Sequence, residues 1–484
     1  MKHSPQELTK RVFDWGLQEQ FAEFSGDRNP MHMDAVAARR THAGRPVVHG
    51  MHAVLWALET LALQGELPPG FLQIKVQFQK LIYVGDVVEF ENERQDSADI
   101  RLRLCVDGTP LILIRIALAD GVLSEAPELR AGEVPPPEWP HEPIERSLDQ
   151  IEHASGWLSF AQDAATSEKR FPALSAVIGP RRVSALACLS RLVGMVCPGL
   201  HSTFFGLTAR VAELHVAANA IHFHVVSVHD QFRLVKQEIA GGGWSGTVES
   251  IARIPPVAQP SLEELKQIVG SGEFAGTRAL IIGGSRGLGE LVAKLIAAGG
   301  GAVTITYAVG RKDAIEVQRQ IRAHGGQCDV KHFDATLSAS EQLVLVDRRT
   351  TSIYYFATGP IFVRKTRVYM PELFKEFSRV YLDAFHEVCA AVLGNAESQI
   401  SIFYPSSVAV TDHAADMTEY AMAKAAGEML CADLACADAR IRVIVERLPR
   451  MLTDQTATTM PVKTASPLDV MLPIVRRMEA SAGS

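Results

Sequence analysis

The stretch FAEFSGDRNPMHMD, residues 21–34, places an acid, an amide and an imidazole close together, at Asp27, Asn29 and His32. Proline and methionine residues are interspersed, so these polar groups lie among residues that favour burial. A carboxylate held beside an imidazole in such surroundings has the groups needed to accept and donate protons. The competing interpretation is a structural loop, in which Asp27 and Asn29 cap a turn and His32 has no chemical role.

A second set of chemically capable residues lies near the other end of the chain. Tyr420 and Lys424 are four positions apart, which puts them on one face of a helix, and Ser407 precedes the tyrosine by thirteen positions. A phenol has an unperturbed pKa of about 10, so it is a weak acid and a weak base at neutral pH. A neighbouring ammonium group favours the phenolate and lowers that pKa. The competing interpretation is an ordinary pair on an amphipathic helix.

A phosphate-binding turn is predicted between these two sets, in RALIIGGSRGLG, residues 278–289. A buried apolar run there leads into glycines and then into the helix pattern ELVAKLIAAG. A strand, a glycine turn and a helix N-terminus together present backbone N–H groups and a helix dipole to an anion. Strand and helix patterns alternate after this turn, which is typical of a parallel, doubly wound α/β sheet.

The elements that must position Asp27 and His32 follow them directly. VVHGMHAVLWALETLAL, residues 47–63, has the pattern of a long apolar helix, and it is followed by ELPPG, a stop signal. Stretches that alternate apolar and polar residues come next and predict antiparallel strands. One long apolar helix followed by consecutive strands predicts a sheet wrapped around a buried helix.

At these residues the chain resembles the MaoC-type, (R)-specific enoyl hydratase family, whose fold is the hot dog. The resemblance covers roughly residues 1–120 and is carried by FAEFSGDRNPMHMD and GRPVVHGMH. It implies that Asp27 and His32 act together on a water molecule or a 3-hydroxyl group, and that Asn29 orients the loop. It also implies that the backbone amide of Gly50 polarises a thioester carbonyl, because an amide at a helix start is a fixed donor.

The middle of the chain echoes the first part. RRVSALACLSRLVGMVCPGL predicts a helix that ends in Pro-Gly, and strand patterns follow it. The spacing from Phe160 to Pro198 is 38 positions, against 48 from Phe21 to Pro69, and the missing ten fall where the acid and histidine should be. We expect a second hot dog that has lost its catalytic segment and completes a pseudo-dimer with the first.

Two alternatives remain open for this middle part. His201 and Ser202 would belong to a second active site, although that histidine follows the predicted helix and no carboxylate is near it in the chain. His222, His224 and His229 would be metal ligands, although histidines that alternate along a strand more often form its solvent face.

Two breaks divide the chain, a proline- and acid-rich stretch at 121–145 and the sequence IPPVAQPSL at 254–262. The expected fold is an α+β double hot dog followed by an α/β doubly wound Rossmann domain. The expected order is a catalytic hot dog domain, a linker, a second and degenerate hot dog-like domain, a linker helix and a reductase-like domain, at residues 1–125, 126–147, 148–255, 256–275 and 276–484.

From roughly residue 276 to 475 the chain resembles the classical short-chain dehydrogenases/reductases. The resemblance implies that Tyr420 passes a proton to a substrate carbonyl as hydride arrives, that Ser407 hydrogen-bonds the same oxygen, and that Lys424 completes the catalytic trio. The cofactor-binding residues that it implies are Gly283, Ser285, Arg286, Gly287, Leu288, Gly289, Asp334, Ala335, Gly359 and Thr453, together with Tyr420 and Lys424.

Several departures from that family leave open whether the reductase domain is active. Residues 356–359 read Phe-Ala-Thr-Gly where the family has Asn-Asn-Ala-Gly, and Ile282 replaces the usual threonine. Tyr381 stands at the family's helical asparagine, which supports a proton relay through water. No clear seventh strand pattern precedes Ser484.

The cofactor that we expect is NADP(H) rather than NAD(H). No acid follows the second strand pattern at Tyr307–Ala308, where an acid would bind the 2′-hydroxyl of NAD, and Arg286 lies in the glycine turn. Arg311 or Lys312 would assist in binding the 2′-phosphate.

Composition excludes several other classes of protein. The chain has 484 residues, a net charge of 48 − 55 = −7 and no basic block, so nucleic acid is not expected as a partner. No apolar run approaches the roughly 20 residues that span a bilayer, so membrane insertion is not expected. The seven cysteines lack disulfide-like or metal-like spacing, and we expect a cytoplasmic protein without a metal site.

The expected function is that of a bifunctional enzyme in fatty acid or polyketide-type metabolism. The first domain would be a 3-hydroxyacyl dehydratase/(R)-enoyl hydratase, and the last an NADPH-dependent 3-oxoacyl reductase. The substrate would be a thioester of coenzyme A or of an acyl carrier protein, and the chain would form a homo-oligomer through the reductase domain. The alternatives are a dehydratase with an inactive reductase-like scaffold, and a non-catalytic assembly that binds acyl thioesters or carrier proteins.

Overall fold

The computed structural model divides the chain into an N-terminal unit, Met1–Pro255 with Thr458–Pro461, and a C-terminal unit, Pro256–Ala457 with Val462–Ser484. The described residues are 9–68, 73–93, 99–117, 140–160, 164–212, 219–342, 347–365, 367–394, 399–454, 456 and 462–480. Residues 126–139 of the predicted linker therefore lie outside them. Among the described helices, none combines the length and the apolar character needed to cross a membrane.

The N-terminal unit consists of two halves that follow each other in the chain. The first half comprises α1 (Trp15–Ser25), α2 (Pro30–Met33), α3 (Ala35–Ala38), α4 (Gly50–Leu63), β1 (Lys10–Val12), β2 (Gln73–Phe78), β3 (Val87–Asn92), β4 (Asp99–Val106) and β5 (Thr109–Ala117). The second half comprises α5 (Leu148–Glu152), α6 (Ala164–Arg170), α7 (Pro172–Ile178), α8 (Pro180–Arg191), a π-helical turn (Leu192–Val196), β6 (Ser155–Ser159), β7 (Ser202–Val211), β8 (Ala220–His229), β9 (Leu234–Gly241) and β10 (Trp244–Ala252).

All ten strands form one sheet in the order β1-β3-β4-β5-β2-β7-β10-β9-β8-β6. Counted from the centre outwards, the second half repeats the strand order of the first. The halves join where β2 and β7 pair antiparallel, with Ile74 opposite Ala209 and Val76 opposite Leu207. This pairing satisfies the backbone groups of two strands that would otherwise be open edges.

Helix α4 is buried from Met51 to Leu61 without interruption. A helix that is apolar on every side must be surrounded, and α4 contacts α7 and α8 of the second half. On β2, Ile74 and Val76 are buried while Lys75 between them is exposed, so the strand turns an apolar face to the core. The predicted apolar helix and alternating strands are therefore present in the first half.

A buried carboxylate connects the two halves. Glu59 of α4 is 8% exposed, and its two oxygens accept the backbone N–H groups of Ala173 (3.0 Å) and Leu174 (2.7 Å). These amides belong to the first turn of α7, which has no other side-chain cap, and the helix dipole also favours a carboxylate there. Burial raises the pKa of Glu59, and the two amides oppose that rise.

We predict that Glu59→Ala lowers the free energy of unfolding of the N-terminal unit by about 1–3 kcal/mol, because two buried amides lose their acceptor. The free energy of unfolding of Glu59→Gln should lie between those of Glu59→Ala and the wild type, since one carbonyl oxygen caps a single amide. Urea unfolding followed by circular dichroism measures both effects. Glu19→Ala, at an exposed site on α1, is the control, and equal stability of the Glu59→Ala variant and this control would contradict the capping role.

The C-terminal unit alternates strands and helices. Its elements are α9 (Leu262–Lys266), β11 (Arg278–Ile282), α10 (Gly287–Ala298), β12 (Ala302–Tyr307), α11 (Arg311–Ala323), β13 (Gln327–His332), α12 (Ala339–Gln342), β14 (Ser352–Tyr355), α13 (Pro371–Ser378), a π-helical turn (Arg379–Asp383), α14 (Ala384–Leu393), β15 (Ile400–Ser407), α15 (Ala409–Asp412), α16 (Thr418–Ala437), β16 (Ile441–Leu448) and α17 (Pro467–Glu479).

The strands of the C-terminal unit form a parallel sheet in the order β13-β12-β11-β14-β15-β16. The strand order reverses between β11 and β14. In sheets of this kind the crevice at the carboxyl ends of the strands next to that reversal is where ligands bind. The glycine turn after β11 and the residues after β14 lie at this crevice, as the sequence predicts for a doubly wound fold.

Candidate active sites

The loop that carries Asp27 starts where α1 ends. Gly26 has a positive φ of 77°, a left-handed conformation that ends the helix. Asn29 then caps α2, because its Oδ1 accepts the N–H of Met31 at 3.0 Å. The Nδ2 of Asn29 donates to the carbonyls of Gly194 (2.7 Å) and Leu200 (3.2 Å). Asn29 thus holds the loop against the second half.

Asp27 is 1% exposed. Its Oδ2 accepts the hydroxyl of Ser190 at 2.6 Å, and its Oδ1 accepts the N–H of Asn29 at 3.1 Å. Burial raises the pKa of Asp27, while the nearby imidazole of His32 and these two hydrogen bonds lower it. The carboxylate is therefore held by two donors at a place where solvent does not stabilise its charge.

His32 faces Asp27 across a short gap. Its Nδ1 lies 2.7 Å from the carbonyl oxygen of Val47. Since a carbonyl only accepts, Nδ1 donates this hydrogen bond and Nε2 is the ring nitrogen that faces Asp27. That Nε2 is 4.0 Å from Oδ2 of Asp27, which is too long for a direct hydrogen bond but suits one oxygen atom bound to both.

The cleft beside this pair is formed by both halves and opens to solvent, with about 600 Å³ of space in the cleft and its mouth together. Gly50, at the first turn of α4, lies in its wall next to Phe78, and an added Cβ on Gly50 would be 2.6 Å from the Phe78 ring. The residues that line the cleft include Asp27, His32 and Gly50 from the first half and Ser190, Gly194, Ser202 and Phe204 from the second.

Ser190 and Gly194 are functional candidates that the sequence reasoning missed. They are four positions apart at the end of α8 and in its π-helical turn, and both face Asp27. A Cβ on Gly194 would lie 2.5 Å from Oδ1 of Asp27, so a larger residue would push the carboxylate aside. The sequence feature that could have indicated them is a pair of small residues at helical spacing in an apolar helix.

His49 also lies against Asp27. Its Nε2 is 3.0 Å from the backbone oxygen of Asp27, its Nδ1 is 3.3 Å from Oε1 of Gln18, and its ring stacks on His32 at 4.1 Å. Burial lowers the pKa of His49 well below its usual value. Ligand atoms of Asp27, His32 and His49 lie within 4.8 Å of one another.

The histidines of the second half, which were candidates for a second active site or for metal ligands, lie in different surroundings. His201 does have a nearby carboxylate, since its Nε2 lies 3.1 Å from Oε1 of Glu145, which is 56 positions away in the chain. Ser202 lines the Asp27 cleft. Within the described ranges, His222, His224 and His229 are not grouped closely enough to share a metal ion.

In the C-terminal unit the glycine turn has the conformation that its glycines allow. Gly283 and Gly287 have positive φ values of 80° and 57°. An added Cβ on Gly289 would overlap the carbonyl oxygen of Gly283. Leu288 follows Gly287 in the first turn of α10, so the turn leads directly into a helix N-terminus, which suits a phosphate.

The remaining predicted cofactor residues surround this turn or follow the neighbouring strands. Arg286 points to Asp454, with Nη1 at 3.4 Å from Oδ2, while Ser285 is buried beside it. Asp334 makes a local turn after β13, because its Oδ1 accepts the N–H and the hydroxyl of Thr336. Ala335 is buried next to it, Gly359 follows β14, and Thr453 follows β16.

Ser407, Tyr420 and Lys424 come together between β15 and α16. Tyr420 is 8% exposed and hydrogen-bonded to Ser407. Lys424 is buried and its Nζ donates to the carbonyl of Pro405 at 2.7 Å. The lowering of the tyrosine pKa by Lys424 was wrongly predicted: burial raises the pKa of Tyr420, and only the bond to Ser407 lowers it. Burial also lowers the pKa of Lys424 to about 7.

A buried ion pair next to Tyr420 was not predicted either. Lys365, in the segment after β14, lies 2.7 Å from Glu419, and the two side chains are 2% and 0% exposed. Glu419 also accepts the N–H of Met370, and Lys365 donates to the carbonyl of Val368 at 2.7 Å. The pair therefore fastens the segment between β14 and α13 to the start of α16.

Comparisons with known proteins match one domain in each unit. Residues 14–111 match the model of the MaoC like domain, and residues 277–465 match that of the short chain dehydrogenase. The chain therefore contains a MaoC-like hot dog domain and a short-chain dehydrogenase domain, as the two resemblances predict.

Two curated relatives match the first of these domains. A 3-hydroxybutyryl-CoA dehydratase of Methylorubrum extorquens is 37% identical over 76 residues, which are 15% of this chain and 47% of the relative. An (R)-specific enoyl-CoA hydratase of Aeromonas caviae is 39% identical over 77 residues, which are 15% of this chain and 55% of the relative. The chain thus spans about half the length of these relatives.

Solved structures of short-chain dehydrogenases resemble the chain at lower identity. One from Salmonella enterica subsp. enterica serovar Typhi is 18% identical, with a TM-score of 0.40, and the match covers 44% of this chain and 93% of the other. A gluconate 5-dehydrogenase from Burkholderia cenocepacia, in complex with NADP and tartrate, is 24% identical, with a TM-score of 0.35 and coverage of 40% and 76%.

We predict that Lys365→Met destabilises the C-terminal unit by about 3 kcal/mol, because it leaves the carboxylate of Glu419 buried without its cation. The double variant Lys365→Met/Glu419→Leu should recover most of that loss. Thermal unfolding of the wild type and the variants measures the differences. Lys375→Met, on α13 at an exposed position, serves as the control, and a double variant as unstable as the single one would argue against this ion pair.

Proposed function

We propose that the chain is a bifunctional enzyme of acyl-thioester metabolism. The N-terminal unit interconverts 3-hydroxyacyl and 2-enoyl thioesters, and the C-terminal unit reduces 3-oxoacyl thioesters with NADPH. The observation that carries the proposal is the convergence of Asp27, His32 and the N-terminus of α4 at Gly50 on one cleft. The named activities of the two curated relatives, a dehydratase and a hydratase, support it.

The acid–base pair suits the addition of water to a 2-enoyl thioester. A water molecule in the gap between Oδ2 of Asp27 and Nε2 of His32 donates a hydrogen bond to each. As its oxygen bonds to C3, one proton passes to this pair and C2 receives one proton from it, so the pair ends the cycle unchanged. Dehydration is the reverse, and each well-placed proton transfer contributes about 10²–10⁴-fold.

The start of α4 supplies the electrostatic part of this reaction. Negative charge develops on the thioester oxygen as the water oxygen bonds to C3 in hydration, and as C2 loses its proton in dehydration. The N–H of Gly50 belongs to the first turn, where backbone donors have no partner inside the helix. A donor fixed in this way, at the positive end of a helix dipole, stabilises the developing charge.

We propose that the second half of the N-terminal unit is a degenerate hot dog domain. The repeated strand order, the edge pairing of β2 with β7 and the helix α8 in the place of α4 support this assignment. It contributes Ser190 and Gly194 to the cleft of the first half. We retain the domain limits 1–125, 148–255 and 276–484 as part of the proposal.

The C-terminal crevice fits a dinucleotide. An added Cβ on Gly283 would lie 2.9 Å from the backbone of Phe356, so only a glycine fits where the turn passes the end of β14. When bound, the nicotinamide ring supplies a hydride. Tyr420 then donates its proton to the carbonyl oxygen, and Ser407 hydrogen-bonds that oxygen. The lack of an acid at Tyr307–Ala308 supports NADPH over NADH, whereas Arg286 is engaged by Asp454.

The product of the reductase is the substrate of the dehydratase. A 3-oxoacyl thioester becomes a 3-hydroxyacyl thioester in one unit and a 2-enoyl thioester in the other. Linking consecutive steps in one chain raises the local concentration of the intermediate. The thioester is carried by coenzyme A or a carrier protein, and the chain is a homo-oligomer in this proposal.

A second candidate is a dehydratase with a reductase-like scaffold that does not react. Three observations favour it: the raised pKa of Tyr420, the lowered pKa of Lys424 and the pairing of Arg286 with Asp454. NADPH binding without turnover of a 3-oxoacyl thioester would distinguish this candidate.

The decisive experiment incubates a short 3-oxoacyl thioester with NADPH and identifies the products by mass. We expect the 2-enoyl thioester from the wild type, the 3-hydroxyacyl thioester alone from Asp27→Asn, and neither from Tyr420→Phe. Enoyl thioester offered directly to Tyr420→Phe should still be hydrated, which serves as the control for folding. Hydration by Asp27→Asn at the wild-type rate would refute the acid–base role.

We predict that Ser190→Ala reduces kcat/KM for hydration about 10–100-fold, because a hydrogen bond to a charged group contributes about 1.5–3 kcal/mol. Without this donor the pKa of Asp27 rises further, so activity that needs the carboxylate is lost at a higher pH as the medium is acidified. The acidic limb of the pH profile should therefore move upwards.

The matched control for this prediction is Ser184→Ala. Ser184 is buried on the same helix, and its hydroxyl is hydrogen-bonded to Ser167 at 2.6 Å instead of to Asp27. Its loss should change stability without moving the acidic limb. Identical pH profiles for Ser190→Ala and Ser184→Ala would show that Ser190 does not act on Asp27.

A further inference from the structure

The ammonium group of Lys424 lies among aromatic rings. Its Nζ is 3.9 Å from the centre of the Tyr381 ring, 5.0 Å from that of Tyr404 and 5.9 Å from that of Tyr420. The same Nζ donates a hydrogen bond to the carbonyl of Pro405, at 2.7 Å. The shortest of the three ring distances is well inside the range of cation–π attraction.

Tyr381 is fixed in this position by its surroundings. It is 1% exposed and lies in the π-helical turn Arg379–Asp383, which inserts an extra residue into the helix. Its hydroxyl is 2.6 Å from the Oγ1 of Thr358, and its ring stacks on Phe377 at 5.8 Å. The hydroxyl of Tyr404 donates to the backbone carbonyl of Tyr381 at 3.2 Å. The ring therefore cannot turn away from Lys424 without breaking several contacts.

Within the part of the chain that the structure describes, few other groups stabilise the charge on Lys424. The titratable groups that face it are Tyr381, Tyr404 and Tyr420, and Cys431 on its own helix, which raises its pKa. Burial dominates and lowers the pKa of Lys424 to about 7. Near neutral pH the charge of this lysine therefore depends on weak attractions, and a desolvated ring contact is among the stronger of these.

We propose that Tyr381 is a positioning residue of the reductase, whose ring holds the ammonium of Lys424 in place and keeps it charged beside Tyr420. The inference rests on the proposed reductase function. Lys424 would otherwise be free to lose its proton and move away from the tyrosine that must donate to the substrate carbonyl. The chain uses a ring here, at the position where the resembling family has an asparagine.

The test compares Tyr381→Leu, which removes the ring, with Tyr381→Phe, which keeps the ring and loses the bond to Thr358. If charged Lys424 is required, activity falls as the pH rises through its pKa, and loss of the ring lowers that pKa. We expect the basic limb of kcat/KM for 3-oxoacyl thioester reduction to move about one pH unit lower in Tyr381→Leu. Tyr381→Phe should retain the limb of the wild type.

Phe377→Leu is the control for lost aromatic packing. Phe377 contacts the rings of both Tyr381 and Tyr420, at 5.8 and 5.7 Å, so its removal disturbs the same cluster. We expect lower thermal stability in this variant with an unmoved basic limb. A shift of the limb equal to that of Tyr381→Leu would assign the effect to packing and overturn the proposal.

A readout without turnover separates this inference from the proposed function. The full chain labelled with ¹³Cε-lysine is titrated by NMR, with Lys424→Arg used to assign the resonance. Lys424 should titrate at a lower pH in Tyr381→Leu than in Tyr381→Phe. If the wild type is active and Lys424 titrates at the same pH in both variants, the positioning role alone is overturned. A wild type that neither binds NADPH nor reduces the thioester overturns the reductase function and this role with it.

Discussion

The hydrogen bond from Ser190 to Asp27 is the contact on which the Asp27 site depends. An ionised carboxylate away from water is stable only when donors replace its hydration. The first half supplies one backbone donor, from Asn29, and the second half supplies the hydroxyl, 163 positions further along the chain. The pair Asp27–His32 therefore has its observed environment only when the two halves are joined.

The two halves repeat one strand order but contribute differently. Among the described residues, those that the second half contributes to the cleft include no acid and no histidine. The end of its long helix nevertheless approaches Asp27 so closely that Gly194 leaves no room for a side chain. In return, the first half caps α7 through Glu59. Each half therefore supplies hydrogen-bonding groups to buried polar groups of the other, and each would leave such groups unsatisfied if it stood alone.

Much of both sites could be predicted from local sequence. Asp27 and His32, the glycines of the turn after β11, and the pair Tyr420–Lys424 are each encoded within a few positions, where loop and helix spacing decide the geometry. The contacts that were missed join distant segments, as Ser190 does with Asp27. The pKa of Tyr420 was predicted in the wrong direction because sequence shows the neighbouring charge but not the desolvation, which has the larger effect.

Both sides of the Asp27 cleft belong to one continuous polypeptide, whose two halves meet where β2 pairs with β7. A cleft shared between separate subunits would be lost when the protein is diluted and the subunits dissociate, since its assembly depends on protomer concentration. Here the joining of the two sides is an intramolecular event. The second half then needs no reactive loop of its own, and both sides of the cleft are present in a single molecule.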